Sequence, residues 1–251
     1  MLKPCSVILQ ATVAMLVTVC SGFSQFLDAA ELRMGLYNWP PFSFDAERPY
    51  RGIDVDLANE ISKRVGFDFT IDTCPFERCL LEMELGRLDL MSGIALTPKR
   101  AKYMDYAHFP YAEVSTAFFV RRGEEERLLR YEDLYNLQIG VVSEAHYFDR
   151  FDIDNNLNKT VFHSEKLMIK LLSLGRIDTF VSHQTTGAYE IMNQGFKGTL
   201  VQAPYSPGSR IPIYFAISQK SPHRSLLPAI NKAIKDIHAD GTMEKILKKY
   251  R

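Results

Sequence analysis

Leu85-Gly86-Arg87-Leu88-Asp89 and, far along the same chain, Leu174-Gly175-Arg176-Ile177-Asp178 spell one device twice. In each, a segment with apolar residues at helical spacing stops at a glycine, the residue that enters the left-handed region without steric cost. A short apolar run follows, Leu88 to Met91 in the first case and Ile177 to Val181 in the second, as a buried strand requires. Helix–glycine–strand at two distant places predicts two similar α/β lobes.

Working outward fills in both halves. Leu32 to Tyr37 reads as a first strand leading into Trp39-Pro40-Pro41-Phe42. Ile53, Leu57, Ala58, Ile61 and Val65 recur at helical spacing, and a second helix is expected from about Glu77 to Leu85. Ser92-Gly93-Ile94-Ala95-Leu96 reads as a loop. Thr97-Pro98 then has the chemistry of a helix start, threonine as cap and proline at the first position. In the later half Ser164 is expected to cap a helix carrying Leu167, Ile169, Leu171 and Leu172. Pro204, Pro207 and Gly208 mark a break, and Ile211 to Ser218 reads as a strand crossing back. Helices from Ser225 to Ala239 and from Thr242 to Tyr250 are expected to follow.

Composition narrows the function. The 251 residues carry 46% hydrophobic and 24% charged side chains, an ordinary globular balance. Lysine plus arginine equals aspartate plus glutamate at 30 each, so no basic excess exists to neutralise a nucleic-acid backbone. Lys3, the mostly apolar run from Val7 to Val19, and the small residues up to Ala29 and Ala30 follow the order of a secretory signal peptide. Residues 1–30 are therefore expected to be removed on export, with the mature protein periplasmic. Cys5 and Cys20 fall inside that segment, which leaves Cys74 and Cys79 in an oxidising compartment. A structural disulfide is the expectation and two free thiols the alternative.

Arg100 follows Thr97-Pro98-Lys99 and is expected in a first helical turn, where free backbone N–H groups already favour an anion. A guanidinium there can grip a carboxylate with two parallel hydrogen bonds. Several stretches taken in order carry a family resemblance. They are Trp39-Pro40-Pro41-Phe42, Gly52 to Ala58, Gly86 to Asp89 with Ser92-Gly93 to Arg100, Phe109-Pro110-Tyr111, Tyr131 to Leu134, Ile139 to Val142, Gly175 to Asp178, and Ile230 to Thr242. Together they resemble the family 3 extracellular solute-binding proteins, receptors of polar amino-acid ABC transporters. The resemblance implies two doubly wound α/β lobes joined by two crossing strands, the type II periplasmic-binding-protein fold, with ligand in the cleft. The expected division is residues 31–111 with 214–251 in one lobe and 112–213 in the other.

By position, Arg100 matches the family's carboxylate-binding arginine. Ser92 and the backbone around Gly93 and Ala95 match its companion loop, and Trp39 an aromatic that packs on the ligand. Phe76 and Arg78 open a helix on the same cleft edge as further candidates. Departures from the family pattern bear on the ligand. Ala95 stands where a hydroxyl is usual, Glu144-Ala145-His146 where Gly-Thr is usual, and His183 where an aspartate holds the ligand's α-ammonium. Histidine accepts only through one neutral ring nitrogen and repels a cation once protonated. The carboxylate half of the site is thus expected without its standard amine half. His146 and His183 are expected to face the cleft from the second lobe.

No metal, cofactor or catalytic residue is expected, and the other histidines show no grouping. The expected function is capture of a small carboxylate-bearing solute by lobe closure. The expected partner of the monomer is an ABC permease or a membrane sensor. An enzyme on the same scaffold, like the cyclohexadienyl dehydratases, is the alternative.

Overall fold

The computed structural model describes residues 30–45 and 48–250. Residues 1–29, with Cys5, Cys20 and the expected export signal, lie outside them. In chain order, β1 (Glu31–Leu36), α1 (Ile53–Val65), β2 (Asp68–Thr73), α2 (Phe76–Leu85), β3 (Leu90–Ala95) and β4 (Met104–Tyr106) build the first lobe. The long β5 (Ala112–Arg121) crosses to the second lobe. That lobe comprises β6 (Gln138–Val142), α3 (Asp149–Ile153), β7 (Asn158–Phe162), α4 (Glu165–Ser173), β8 (Thr179–His183), α5 (Gln184–Asn193) and β9 (Leu200–Gln202). Then β10 (Arg210–Ser218) returns, and α6 (Leu227–Ala239) and α7 (Thr242–Lys248) pack on α1.

The strands run β2-β1-β3-β10-β5-β8-β6-β7, so β10 and β5 carry one sheet into the other. In the first lobe β1 lies between β2 and β3, parallel to both; in the second β6 lies between β7 and β8 in the same way. The two crossing strands pair antiparallel from Ile213 opposite Ala112 to Arg210 opposite Ser115. The fold is a two-lobe type II α/β architecture, as the sequence predicts.

The repeated sequence device has a matching physical role in each lobe. Gly86 and Gly175 sit at φ 74° and 67°, the left-handed region that ends α2 and α4. The aspartate three residues on then clamps the strand beside it. Asp89 Oδ2 accepts the Arg33 N–H at 2.9 Å while its own N–H donates to the Arg33 carbonyl at 2.8 Å. Asp178 does the same with Gln138, at 2.8 and 2.9 Å. Each clamp fixes where the third strand of its lobe enters against the first, and so sets the register of the parallel sheet.

The apolar residues behind the pattern are buried as the spacing requires. Ile53, Leu57, Ala58 and Ile61 line one face of α1 and join the first-lobe core with Leu32, Met34, Leu90 and Phe215. Two smaller clusters serve the second lobe, one around Phe118, Tyr131 and Phe151, the other around Phe119, Phe180 and Leu172. The Cys74–Cys79 disulfide is present, with Cα atoms 5.5 Å apart, and closes the turn that starts α2.

Four local expectations need correction. Ser92 to Ala95 is not a loop but the last four residues of β3, all buried, with Ile94 and Ala95 paired to Tyr214 and Ile213 of β10. Thr97-Pro98 opens no α-helix: the chain turns and makes one 3₁₀ turn over Arg100–Lys102 before β4 begins at Met104, too short a span for more. Thr97 Oγ1 still accepts the Arg100 N–H at 3.3 Å. The strand after Gly175 starts later than Ile177, at Thr179, and reaches His183. Ser164 precedes α4 as expected but makes no side-chain cap bond.

Asp54, in the first turn of α1, is almost fully buried and ties the lobe together. Tyr111 Oη donates to its Oδ1 at 2.6 Å and Ser92 Oγ to its Oδ2 at 2.8 Å. Burial raises its pKa from 3.8 to about 7, against the lowering by the two hydroxyl donors. The folded protein therefore holds a proton that the unfolded chain has released. The stability tied to this group is full below about pH 4 and is lost as pH rises through about 7. Tyr111→Phe is expected to lower the unfolding free energy by about 1–3 kcal/mol at about pH 8, where Asp54 is ionised. At about pH 5, with folded Asp54 protonated, the loss is expected to be smaller; urea titrations at the two pH values check the sign.

Candidate functional site

A cavity of about 340 Å³ lies between the lobes, within the range of small-molecule sites. The crossing strand β10 contributes Ile211 and Ile213 to its wall. The first lobe contributes Tyr37, Asn38, Trp39, Phe76, Gly93, Ala95 and Arg100; the second contributes Ala145, His146, Ser164, Glu165, His183 and Glu190.

Arg100 is 4% exposed. Its guanidinium donates through Nη1 to the Ala95 carbonyl at 2.9 Å and through Nη2 to the Glu144 carbonyl at 2.7 Å. The Phe76 ring lies 5.3 Å from the guanidinium carbon. Those bonds use two of the five N–H groups an arginine carries, and among the described residues no hydrogen bond engages the others. Phe76 is held there by the disulfide turn and by Tyr37, whose ring centroid is 4.7 Å away. Gly93 has a different task. At φ 70° it presents no Cβ, which would stand 2.6 Å from Tyr37 Oη and 2.8 Å from the Trp39 ring. The indole thereby packs directly on β3.

Trp39 stacks on Phe42 at 4.3 Å and meets His183 edge-on at 5.3 Å. Burial lowers the His183 pKa to about 4, with the charges of His146 and Arg100 adding to this and a backbone hydrogen bond to His146 opposing it. The ring is neutral at physiological pH. His146 places Nδ1 2.7 Å from Asp152 Oδ2. Ser92 turns its hydroxyl to Asp54 and Arg78 pairs with Glu82 at 2.6 Å on the surface; neither lines the cavity. Trp39, Phe76, Gly93, Ala95, Arg100, His146 and His183 all do. Among the described residues no group of three or more His, Cys, Asp or Glu side chains is placed to hold a metal.

Two carboxylates in the wall were not anticipated from sequence. Glu190 is 5% exposed, accepts from Asn38 Nδ2 at 3.1 Å across the cleft, and lies 3.4 Å from Gln194 Nε2. Glu165 opens α4 and accepts the Ser182 hydroxyl. Burial, with the nearby Glu190 charge adding, raises the Glu165 pKa to about 7, while the Ser182 donor opposes the rise. A signal did exist: Thr186, Gly187, Glu190 and Ile191 share one buried helical face, on which a glutamate is out of place.

The lobes are closed on one another. Besides Arg100–Glu144 and Asn38–Glu190, Lys99 Nζ lies 2.6 Å from Glu144 Oε2 and His163 Nδ1 2.7 Å from Glu77 Oε1, each across the cleft. Glu144 adopts φ 59°, a conformation that favours glycine, at a cost of about 1–3 kcal/mol. Its carbonyl is thereby aimed at Arg100.

Comparison with known proteins agrees with this geometry. Residues 32–251 match the model of the bacterial extracellular solute-binding proteins, family 3. A probable histidine-binding protein of Neisseria gonorrhoeae is 27% identical over 84% of this chain and 78% of its own. The lysine/arginine/ornithine-binding periplasmic protein of Escherichia coli is 22% identical over 84% of each. Among solved structures, an ancestral arginine-binding protein bound to arginine superposes with a TM-score of 0.75, at 25% identity, over 89% of this chain and 99% of that one. With a two-lobe fold, an arginine-bearing cleft and a family match along almost all of its described length, the chain belongs to the bacterial extracellular solute-binding proteins, family 3.

Proposed function

We propose that this protein is a periplasmic receptor that captures a small carboxylate-bearing solute by closing its lobes and delivers it to an ABC permease. The observation that carries this reading is Arg100, buried in the cleft with N–H groups uncommitted and its position fixed by Ala95, Glu144 and Phe76. A permanent charge enclosed in low dielectric calls for an anion, and a carboxylate fits the planar fork. The names of the relatives, which describe binding of histidine or of lysine, arginine and ornithine, support the same ligand chemistry.

Closure is the working motion. We place the lobe exchange along β5 and β10, at residues 112 and 213–214, where two paired strands can bend together while each lobe stays rigid. Ligand that bridges Arg100 and the second lobe favours the closed form, and a membrane partner reads that form. The departures at Ala95, Glu144 and His183 set this cleft apart from one built for a standard α-amino group.

Mass spectrometry of ligand released from natively purified protein is expected to yield a small acid. Arg100→Ala is expected to weaken its binding at least ~30-fold in calorimetry, since truncating a buried charge partner costs about 2–5 kcal/mol. Arg100→Lys is expected to fall between the two, because it keeps the charge but loses the bidentate fork. Unchanged affinity in Arg100→Ala, with the thermal midpoint retained, would sink the assignment.

A further inference from the structure

One turn of chain carries two of the cleft's working contacts. Phe76, the first residue of α2, sets its ring 5.3 Å from the Arg100 guanidinium carbon and 4.7 Å from Tyr37, which stacks in turn on Trp39 at 5.9 Å. Glu77 beside it meets His163 Nδ1 of the other lobe at 2.7 Å. The backbone ties of this turn are slight. Pro75 precedes α2 with no side-chain cap bond and, being proline, has no N–H to donate. The Cys74 N–H donates to the Leu36 carbonyl at 3.0 Å and the Cys79 N–H to the Pro75 carbonyl at 2.9 Å. The Cys74–Cys79 disulfide closes across these bonds and fixes Phe76 and Glu77 to the body of the lobe.

The two sulfurs have different surroundings. Cys79 is fully buried, on the inner face of α2 with Leu80 and Met83. Cys74 is half-buried and lines both the cleft and a separate groove beside β2. Three arginines, Arg33, Arg48 and Arg78, line that groove against two acids, Asp72 and Glu82, so its mouth is net positive and attracts a thiolate. One accessible sulfur in electropositive surroundings is what marks a reducible bridge. Once it opens, Leu80 and Met83 still anchor α2, so the turn ahead of the helix is released and the helix is not.

We propose that the Cys74–Cys79 disulfide is a redox gate on capture: a dithiol reductant opens it, frees Phe76 and Glu77, and weakens binding in the cleft without unfolding the lobe. This rests on the reading of Arg100 as the ligand's anchor. A thiolate of the dithiol attacks Cys74 Sγ, the S–S bond breaks, and its electron pair leaves on Cys79 Sγ, which takes a proton from water. The second thiol of the reductant loses its proton, attacks its partner's sulfur in the mixed disulfide and displaces Cys74, which is protonated in turn. Two electrons pass to the protein; the reductant ends as a disulfide and the protein as two thiols. Without the bridge, Phe76 must be ordered anew at each closure, and Arg100 loses a fixed wall.

The full mature chain, oxidised or treated with dithiothreitol, tests this. On reduction, amide hydrogen exchange is expected to quicken at residues 74–79 while residues 80–85 and the circular dichroism spectrum hold. Calorimetry with L-arginine and pentanoate as carboxylate probes is expected to show at least one binding to the oxidised protein. That binding is expected to weaken about threefold to tenfold on reduction and to return on reoxidation with glutathione disulfide. The double variant Cys74→Ser, Cys79→Ser is expected to bind at the weaker level with or without dithiothreitol. A bridge that stays closed in the folded protein, unchanged exchange at residues 74–79 after reduction, or global unfolding on reduction would each overturn the gate. Binding lost in Arg100→Ala but unaffected by reduction would overturn the gate and leave the carboxylate reading standing. Binding that falls on reduction yet survives Arg100→Ala would do the reverse. Oxidised protein that binds neither probe would bring down both.

Discussion

A guanidinium cannot shed its charge, so enclosing one between two lobes constrains everything around it. Arg100 reaches that position on one turn of 3₁₀ helix, and three separate pieces of chain satisfy it. The end of β3 supplies the Ala95 carbonyl, the turn after β6 supplies the Glu144 carbonyl, and the start of α2 supplies the Phe76 face. Each contributor is fixed by a further contact: Ala95 by pairing with β10, Glu144 by Lys99, Phe76 by the disulfide turn. The exposed Lys99–Glu144 pair adds at most about 1 kcal/mol and serves chiefly to set geometry. The strain at Glu144 is of the kind that concentrates where a site must hold a group in place.

Much of this architecture was legible in the residues. The repeated Leu-Gly-Arg-x-Asp segments foretold two lobes, because the glycine requirement is local and the apolar period needs no partner to be read. What their aspartates do was not legible, since the strand N–H groups they clamp lie far away in sequence. Ser92 and Gly93 read as loop on composition alone, yet they lie inside β3 at a register irregularity, between the pairs that Leu90, Met91, Ile94 and Ala95 make with β10, and that flanking pairing overrides the local tendency. Thr97-Pro98 carried a helix-start signal that the nearby β4 cut short.

The site divides the same way. Arg100, Trp39, Phe76 and the two cleft histidines all line the cavity. Ser92 and Arg78 do not, each being claimed by a nearer carboxylate, Asp54 or Glu82. Glu165 sits in the first turn of α4, where the helix dipole favours an acid whatever lies around it. Its environment, and that of Glu190, depends on the opposing lobe. No reading of one segment at a time contains that information.

The place of β10 has a consequence for how the protein is made. It lies between β3 and β5, in the middle of the first lobe's sheet, although it is encoded only at residues 210–218. Until those residues are available, a segment emerging from a ribosome or a translocation channel leaves β3 with an open edge, and α1 without the two last helices that cover it. The second lobe's parallel strands, in contrast, are all complete by His183. The first lobe's sheet therefore cannot be completed before residues 210–218 are available, so the cleft does not exist until that strand has arrived.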